Sequence, residues 1–300
     1  MVLPLQGRSH RFKSCSAHKG FSEINPKKIQ IVNINTFVLI LIKIIELEKK
    51  GTMSYKDWLY KLLSNLSPHF FNELEELILD KSNITIFDVG FYKGSFSKDL
   101  IKLLQKRKNI SKYTVFSFEP NNNIDNTEFK NFADEHKVSW NHFINALGDE
   151  NATKKFTILE NFPPSGSSLN NILIDSYWLK TRKFIFSPFK NKQINLNISD
   201  VEVKKLDMFL TEITDLDILK IDVEGYSYEI LQGGIEIIQK FKPLIQVEVL
   251  SKKENFSENV IKLTKLLKSI GYIEHSKKKH YTTHWFSDII CFDYLFIPEE

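Results

Sequence analysis

Three hundred residues, 42% hydrophobic and 13% aromatic, suffice for one large α/β domain with extensions or for two small domains, and exclude a disordered chain. A balance of 41 basic against 37 acidic residues leaves a net charge of +4, without the basic stripe that tracks a nucleic-acid backbone. The two cysteines, Cys15 and Cys291, stand far apart in dissimilar contexts; they exclude a disulfide framework, offer no Cys/His spacing for zinc, and point to a cytoplasmic protein.

Met1 to Pro26 is polar, basic and aperiodic, and is expected to be disordered. Ile31 to Ile45 is apolar but interrupted by Asn33, Asn35 and Lys43. It falls short of the ~20 residues of a membrane span and lacks the small-residue cleavage site of a signal peptide. A helix packed on the domain and a peripheral membrane contact explain it equally well. Ordinary amphipathic sequence begins after Met53, so residues 1–52 are set apart as an extension and the main domain is placed at 53–300. Tyr55 to Asp80 reads as two helices broken near Pro68, marked by Trp58, Leu62 and Leu63 and then by Leu74, Leu77 and Ile78.

Ile84 to Ser97, I-T-I-F-D-V-G-F-Y-K-G-S-F-S, is the stretch around which the rest of the domain is organised. Ile84 to Val89 is a short β-branched run, too short for a helix, as a buried parallel strand would be. Gly90 and Gly94 make a turn, and Phe96, Leu100, Leu103 and Leu104 then fall on one helical face. The spacing Asp88-x-Gly90-x-x-x-Gly94 has one glycine fewer than a dinucleotide fingerprint and an acid at the strand end. A carboxylate there would repel a pyrophosphate. It suits a cofactor with a positive centre and no phosphate, such as S-adenosylmethionine; a plain tight turn is the alternative.

Tyr113 to Phe118 is the second strand, ending at Glu119-Pro120-Asn121. The two oxygens of Glu119 could accept both hydroxyl protons of a ribose, although an acid also suits a helix start. His142 to Leu147 is the third strand, with Asn145 and Ala146 near an adenine, and Gly148 to Asn151 is a turn. Lys154 to Leu159 reads as an extra strand. From Glu160 to Asp200 the pattern is lost. A loop, Pro163 to Ser168, precedes Tyr177, Trp178, Phe184, Phe186 and Phe189 interleaved with Lys180, Arg182, Lys183, Lys190 and Lys192. An insertion of this kind at about 160–200 is expected to be functional, stacking on sugars or bases, or else to carry its own small aromatic core.

Asp217 to Asp222 is the fourth strand and continues as Val223-Glu224-Gly225-Tyr226. Asp222 and Glu224 stand at the carboxyl end of a central strand, where doubly wound sheets bind ligands. A helix comes next and stops at Gly233-Gly234. Leu244 to Leu250 is the fifth strand and carries Glu248 inside an apolar run, where a charge needs a partner or a task. Phe256 to Ile270 is an amphipathic helix, and Tyr272 to Ile297 gives two antiparallel strands. His275, His280 and His284, near the run Lys277-Lys278-Lys279, read as surface residues rather than ligands.

D-V-G-F-Y-K-G at Asp88, F-E-P-N at Phe118, N-A-L-G-D at Asn145, S-S-L at Ser167 and above all L-K-I-D-V-E-G-Y-S-Y-E-I-L-Q-G-G from Leu219 to Gly234 are found together. With V-E-V-K-K-L-D at Val201, the chain resembles the FkbM family of S-adenosylmethionine-dependent methyltransferases over roughly Ile84 to Leu250. The resemblance implies an α/β, Rossmann-like class I methyltransferase fold. It implies a seven-stranded, mostly parallel sheet ordered 3-2-1-4-5-7-6 with helices on both faces, and O-methylation of a hydroxyl of a sugar, glycan or natural product. By matching position, Asp88, Gly90, Phe91, Tyr92 and Gly94 would form the cofactor turn. Glu119 and Pro120 would lie at the ribose and Asn145, Ala146 and Leu147 at the adenine. Ser167 and Ser168 of S-S-L, with Tyr177 and Trp178 of the aromatic insertion, which the resemblance does not cover, are expected to meet the acceptor. The turn Phe91-Tyr92-Lys93 departs from the family, which often has smaller residues there. Tyr92 would cap the methionine end or narrow the pocket.

Methyl transfer is an in-line displacement that needs alignment, exclusion of water and, for a weakly nucleophilic hydroxyl, a base. Asp222, Glu224 and Glu248 are the candidate bases. The same carboxylates could hold magnesium or calcium, with no sequence support for either, or be neutralised by Lys220. A non-catalytic scaffold is the rival reading. A nucleic-acid methyltransferase is the weaker one, because D-V-E-G replaces the expected N/D-P-P-Y/F motif.

Overall fold

Strand β1 (Asn83–Val89) is buried on both faces, which is why its sequence is apolar almost without alternation. Phe87 and Val89 join one hydrophobic cluster and Ile84 and Ile86 the other. The structure is a computed structural model and describes residues 70–78, 80–107, 109–160, 167–170, 179, 195–279 and 288–299. All of them belong to one unit, Leu59–Glu300. The expected features before residue 70, with Tyr177, Trp178, His280 and His284, lie outside the described residues.

In chain order the described elements begin with α1 (Phe71–Leu77), β1, α2 (Ser95–Leu104), β2 (Lys112–Phe118), α3 (Thr127–Glu135) and β3 (Ser139–Phe143). Then come β4 (Ala146–Gly148), β5 (Ala152–Glu160) and β6 (Asn195–Lys205), with a 3-10 turn at Leu206–Thr211. The last third holds β7 (Ile218–Ile221), α4 (Ser227–Gln232), α5 (Ile235–Phe241), β8 (Leu244–Lys252), α6 (Phe256–Ser269), β9 (Tyr272–Lys279) and β10 (Ile289–Pro298).

The main sheet has seven strands in the order β3-β2-β1-β7-β8-β10-β9. Counting only its own strands, this is 3-2-1-4-5-7-6, the order the resemblance implies. β10 runs antiparallel to β8 and β9, and the other pairings are parallel. Leu74 of α1, Leu100 of α2 and Phe129 of α3 cover one face; Ile230 of α4, Ile238 of α5 and Leu267 of α6 cover the other. Among the described residues no helix is long and apolar enough to cross a membrane.

Three elements depart from the sequence expectation. The expected strand His142 to Leu147 breaks in two. β3 ends at Phe143, Ile144 is 59% exposed, and β4 belongs to a second sheet ordered β4-β6-β5. Asn145 makes the crossing, buried, with its Nδ2 donating to the carbonyl of Ala146 at 2.9 Å. Secondly, part of the stretch expected to be irregular is strand β6, paired with β5 from Ala152↔Val203 to Glu160↔Asn195. Its first half hides no face, since Leu196 and Ile198 are both exposed, so burial leaves no periodic signal there. Thirdly, the chain re-enters a helix immediately after Gly233-Gly234. A Cβ on Gly233 would lie 1.9 Å from the carbonyl oxygen of Gly148, so that glycine serves a close crossing with β4 as well as a helix end.

Candidate functional site

The site is built where β1, β2, β7 and β8 reach their carboxyl ends. At the end of β1, Gly90 lies at φ +75°, and a Cβ there would sit 1.8 Å from the carbonyl oxygen of Asp222. Only glycine lets the β1 turn pass so close to the end of β7. Gly94, at φ +71°, is the N-cap of α2; a side chain there would meet the rings of Phe91 and Phe129. Between them Tyr92 is also left-handed, at φ 48°. For a residue with a side chain that conformation costs about 1–2 kcal/mol. It turns the Tyr92 amide toward Glu119, whose Oε2 accepts from it at 3.0 Å. Glu119 Oε1 accepts from the amide of Asn121, also at 3.0 Å. Burial raises the Glu119 carboxyl, and these two amides work against that rise. Each oxygen keeps a lone pair for a further donor, so the residue fits a ribose diol. Phe91 turns inward, edge-on to Phe129 and stacked on Trp140. Ala146 and Leu147 are buried in β4 beside Asn145.

Asp88 and Lys220 face each other in register on neighbouring parallel strands, on the side of the sheet covered by α1 to α3. Both are buried. Lys220 Nζ is 3.1 Å from Asp88 Oδ1 and 3.7 Å from Asp222 Oδ2, and it donates to the carbonyl of Gly90 at 2.9 Å. Ser97 Oγ donates to Asp88 Oδ2 at 2.7 Å. Burial pulls the Lys220 ammonium down, but the two carboxylates outweigh it and hold the lysine charged. The charge of Asp88 is thus answered from inside the protein.

Gln246 of β8 pairs with Lys220, and two positions further along, on the same face, stands Glu248. It is buried and in register with Asp293 of β10. Cys291 Sγ donates to Glu248 Oε1 at 3.0 Å. Burial, and then Asp222, Glu224 and Asp293, push the Glu248 carboxyl well above the ordinary glutamate range. Burial and the neighbouring acids push up the Cys291 thiol. Asp222 and Glu224 are therefore both within electrostatic reach of Glu248. Among the described residues no group of three or more His, Cys, Asp or Glu side chains is arranged to hold a metal ion.

After β7 the chain makes a left-handed turn at Glu224 (φ 53°) and Gly225 (φ 93°) before entering α4. Ser167 and Ser168, expected at the acceptor, use their hydroxyls on the backbone. Ser167 Oγ accepts from the amide of Leu159 at 3.2 Å, and Ser168 Oγ donates to the carbonyl of Glu224 at 3.0 Å. Sequence reasoning gives Lys220 only a neutralising role and misses Asn170, Asp293 and Cys291. A lysine inside the four-residue apolar strand I-L-K-I carries the same signal as Glu248, a charge that needs a partner. Asn170 carries no signal, because its partner is a backbone carbonyl 55 residues away.

A seven-stranded sheet in this order, with glycine turn, second-strand acid and carboxylate cluster at one edge, defines a class I methyltransferase fold. The sequence matches the methyltransferase FkbM domain over residues 88–274, and the chain belongs to that family. No curated protein gives a significant match. Among solved structures, the methyltransferase FkbM from Methylobacillus flagellatus is 16% identical, with a TM-score of 0.41 over 71% of this chain and 44% of its own. This chain thus spans less than half of that protein. A putative RNA methyltransferase from Pyrococcus horikoshii is 14% identical, with a TM-score of 0.38 over 77% of this chain and 84% of its own. TYW2 from M. jannaschii, in complex with AdoMet, is 12% identical, with a TM-score of 0.35 over 76% of this chain and 74% of its own.

Proposed function

We propose that residues 53–300 form a methyltransferase domain that moves a methyl group from S-adenosylmethionine to a hydroxyl of a sugar, glycan or natural product. The observation that carries this reading is the gathering of Asp222, Glu224 and Glu248 beside the Gly90–Gly94 turn, with Glu119 held ready at the next strand end. When bound, the cofactor supplies an electrophilic methyl carbon. Glu119 accepts from the ribose hydroxyls, Pro120 and the Asn145–Leu147 segment border the adenine, and Phe91 and Tyr92 shape the wall of the turn. Asp222 and Glu224 orient the acceptor hydroxyl and take its proton as the oxygen attacks. Burial and the neighbouring acids shift the Glu248 carboxyl upward, toward its protonated form. Lys220 fixes Asp222 and keeps the floor of the site from carrying an excess of negative charge.

Isothermal titration with S-adenosylmethionine, S-adenosylhomocysteine and NAD tests the cofactor reading. The first two are expected to bind, and Glu119→Ala, checked for folding by circular dichroism, is expected to weaken both about 10–100-fold. Binding of NAD instead would overturn the proposal. Binding of none of the three would favour a non-catalytic scaffold.

A further inference from the structure

Three successive carbonyls, those of Val223, Glu224 and Gly225, precede α4 and lie outside its hydrogen-bond ladder. One short segment takes all three. Ser168 Oγ lies 3.4 Å from the carbonyl of Val223 and 3.0 Å from that of Glu224, and Asn170 Nδ2 donates to the carbonyl of Gly225 at 3.2 Å. The clamp is itself tied down. Ser168 exchanges both backbone hydrogen bonds with Thr157 of β5 at 3.0 Å, and its Oγ accepts from the Asn170 amide at 2.9 Å. Ser168 is 3% exposed. The held turn is the one whose left-handed backbone includes Glu224, a residue that seldom adopts that conformation unless its surroundings impose it.

We infer that Ser168 and Asn170 are positioning residues: by capping the 223–225 carbonyls they hold Glu224 in its left-handed conformation and aim its carboxylate at the methyl position of the cofactor site. This deepens the proposed function and rests on it. The hydroxyl of Ser168 and the amide of Asn170 act through the backbone of the turn, so their loss would move the Glu224 carboxylate while leaving the cofactor's ribose and adenine contacts in place.

The test needs no knowledge of the acceptor. S-adenosylhomocysteine and sinefungin, an analogue with a protonated amine where the methyl group would stand, are titrated calorimetrically into the full chain. A carboxylate aimed at that position favours sinefungin by roughly tenfold, the scale of one charge-assisted hydrogen bond. Ser168→Ala and Asn170→Ala are each expected to reduce that preference severalfold, with S-adenosylhomocysteine affinity unchanged. Ser168→Thr, which keeps the hydroxyl, is expected to retain it. A loss of affinity for both ligands in equal proportion would indicate general loosening of the fold and overturn the positioning role. An unchanged preference in both alanine variants would overturn the clamp alone. A wild-type protein that binds S-adenosylhomocysteine with no preference for sinefungin would overturn the placement of Glu224. One that binds neither ligand would overturn the cofactor reading beneath it.

Discussion

Replacing Lys220 with methionine keeps the stem of the side chain and deletes its charge, which leaves Asp88 as an uncompensated buried anion. Breaking one side of such a pair costs about 3–5 kcal/mol, whereas removing both sides is far milder. Chemical denaturation is expected to show Lys220→Met strongly destabilised and the double variant with Asp88→Asn recovering much of the loss. Glu248 gives a pH signature of the opposite kind. Its carboxyl is raised in the fold, so the folded protein keeps a proton that the unfolded chain releases near about pH 4.3. Folding is relatively favoured below that value and loses this contribution as pH climbs through the raised one. Glu248→Gln removes the titration, and its melting temperature is expected to match wild type near about pH 4 and exceed it between about pH 6 and 8. An identical pH profile for the two proteins would show that the carboxyl is not perturbed.

At the scale of elements, α4 and β4 meet through two glycines. A methyl group on Gly233 would press into the Gly148 carbonyl, and neither partner is a side chain that can swing away. Gly233→Ala is expected to cost at least about 2 kcal/mol in denaturant unfolding, because the added methyl group could be accommodated only by moving the backbone of β4 or of the α4 end. The central strands of the main sheet are legible in the sequence because they are covered on both sides. Burial forces the runs Ile84–Val89 and Leu244–Leu250 to be apolar, and turn geometry forces glycine at 90 and 94. The small sheet is not. β4 has three residues, and β6 is held by backbone pairing with β5, which leaves no side-chain period to read. The site divides the same way. Asp88, Glu119 and Asp222 announce themselves as charges at the ends of apolar strands, and Glu248 as one inside such a strand. The partners of Asn170 and Ser168 are backbone oxygens, and a carbonyl has no letter in the sequence.

For the molecule as a whole, cofactor binding should act as a thermodynamic brace. A ligand at a hundred times its dissociation constant adds about 2.7 kcal/mol, which raises the melting temperature of a domain this size by roughly 5–10 °C. S-adenosylhomocysteine is expected to do so in differential scanning fluorimetry, and Glu119→Ala is expected to abolish most of the shift at the same concentration. Charge is distributed to the same end. The described ionisable side chains of the site are mostly acids, answered by the buried Lys220.

The small sheet has a further role once its connections are followed. β5 bears the bridge to Ser168, β4 bears the crossing with Gly233, and β6 ties the two together. The turn that carries Glu224 is therefore held from two sides, by β7, which pairs with the Asp88 strand, and by a second sheet that bears neither Asp88 nor Glu119. Substitutions in β5 and at Ser168 are expected to reach the Glu224 turn before they reach Asp88 or Glu119. A protein engineer could therefore retune the Glu224 turn from Thr157 and Ser168 while leaving the Gly90–Gly94 turn and Glu119 as they stand.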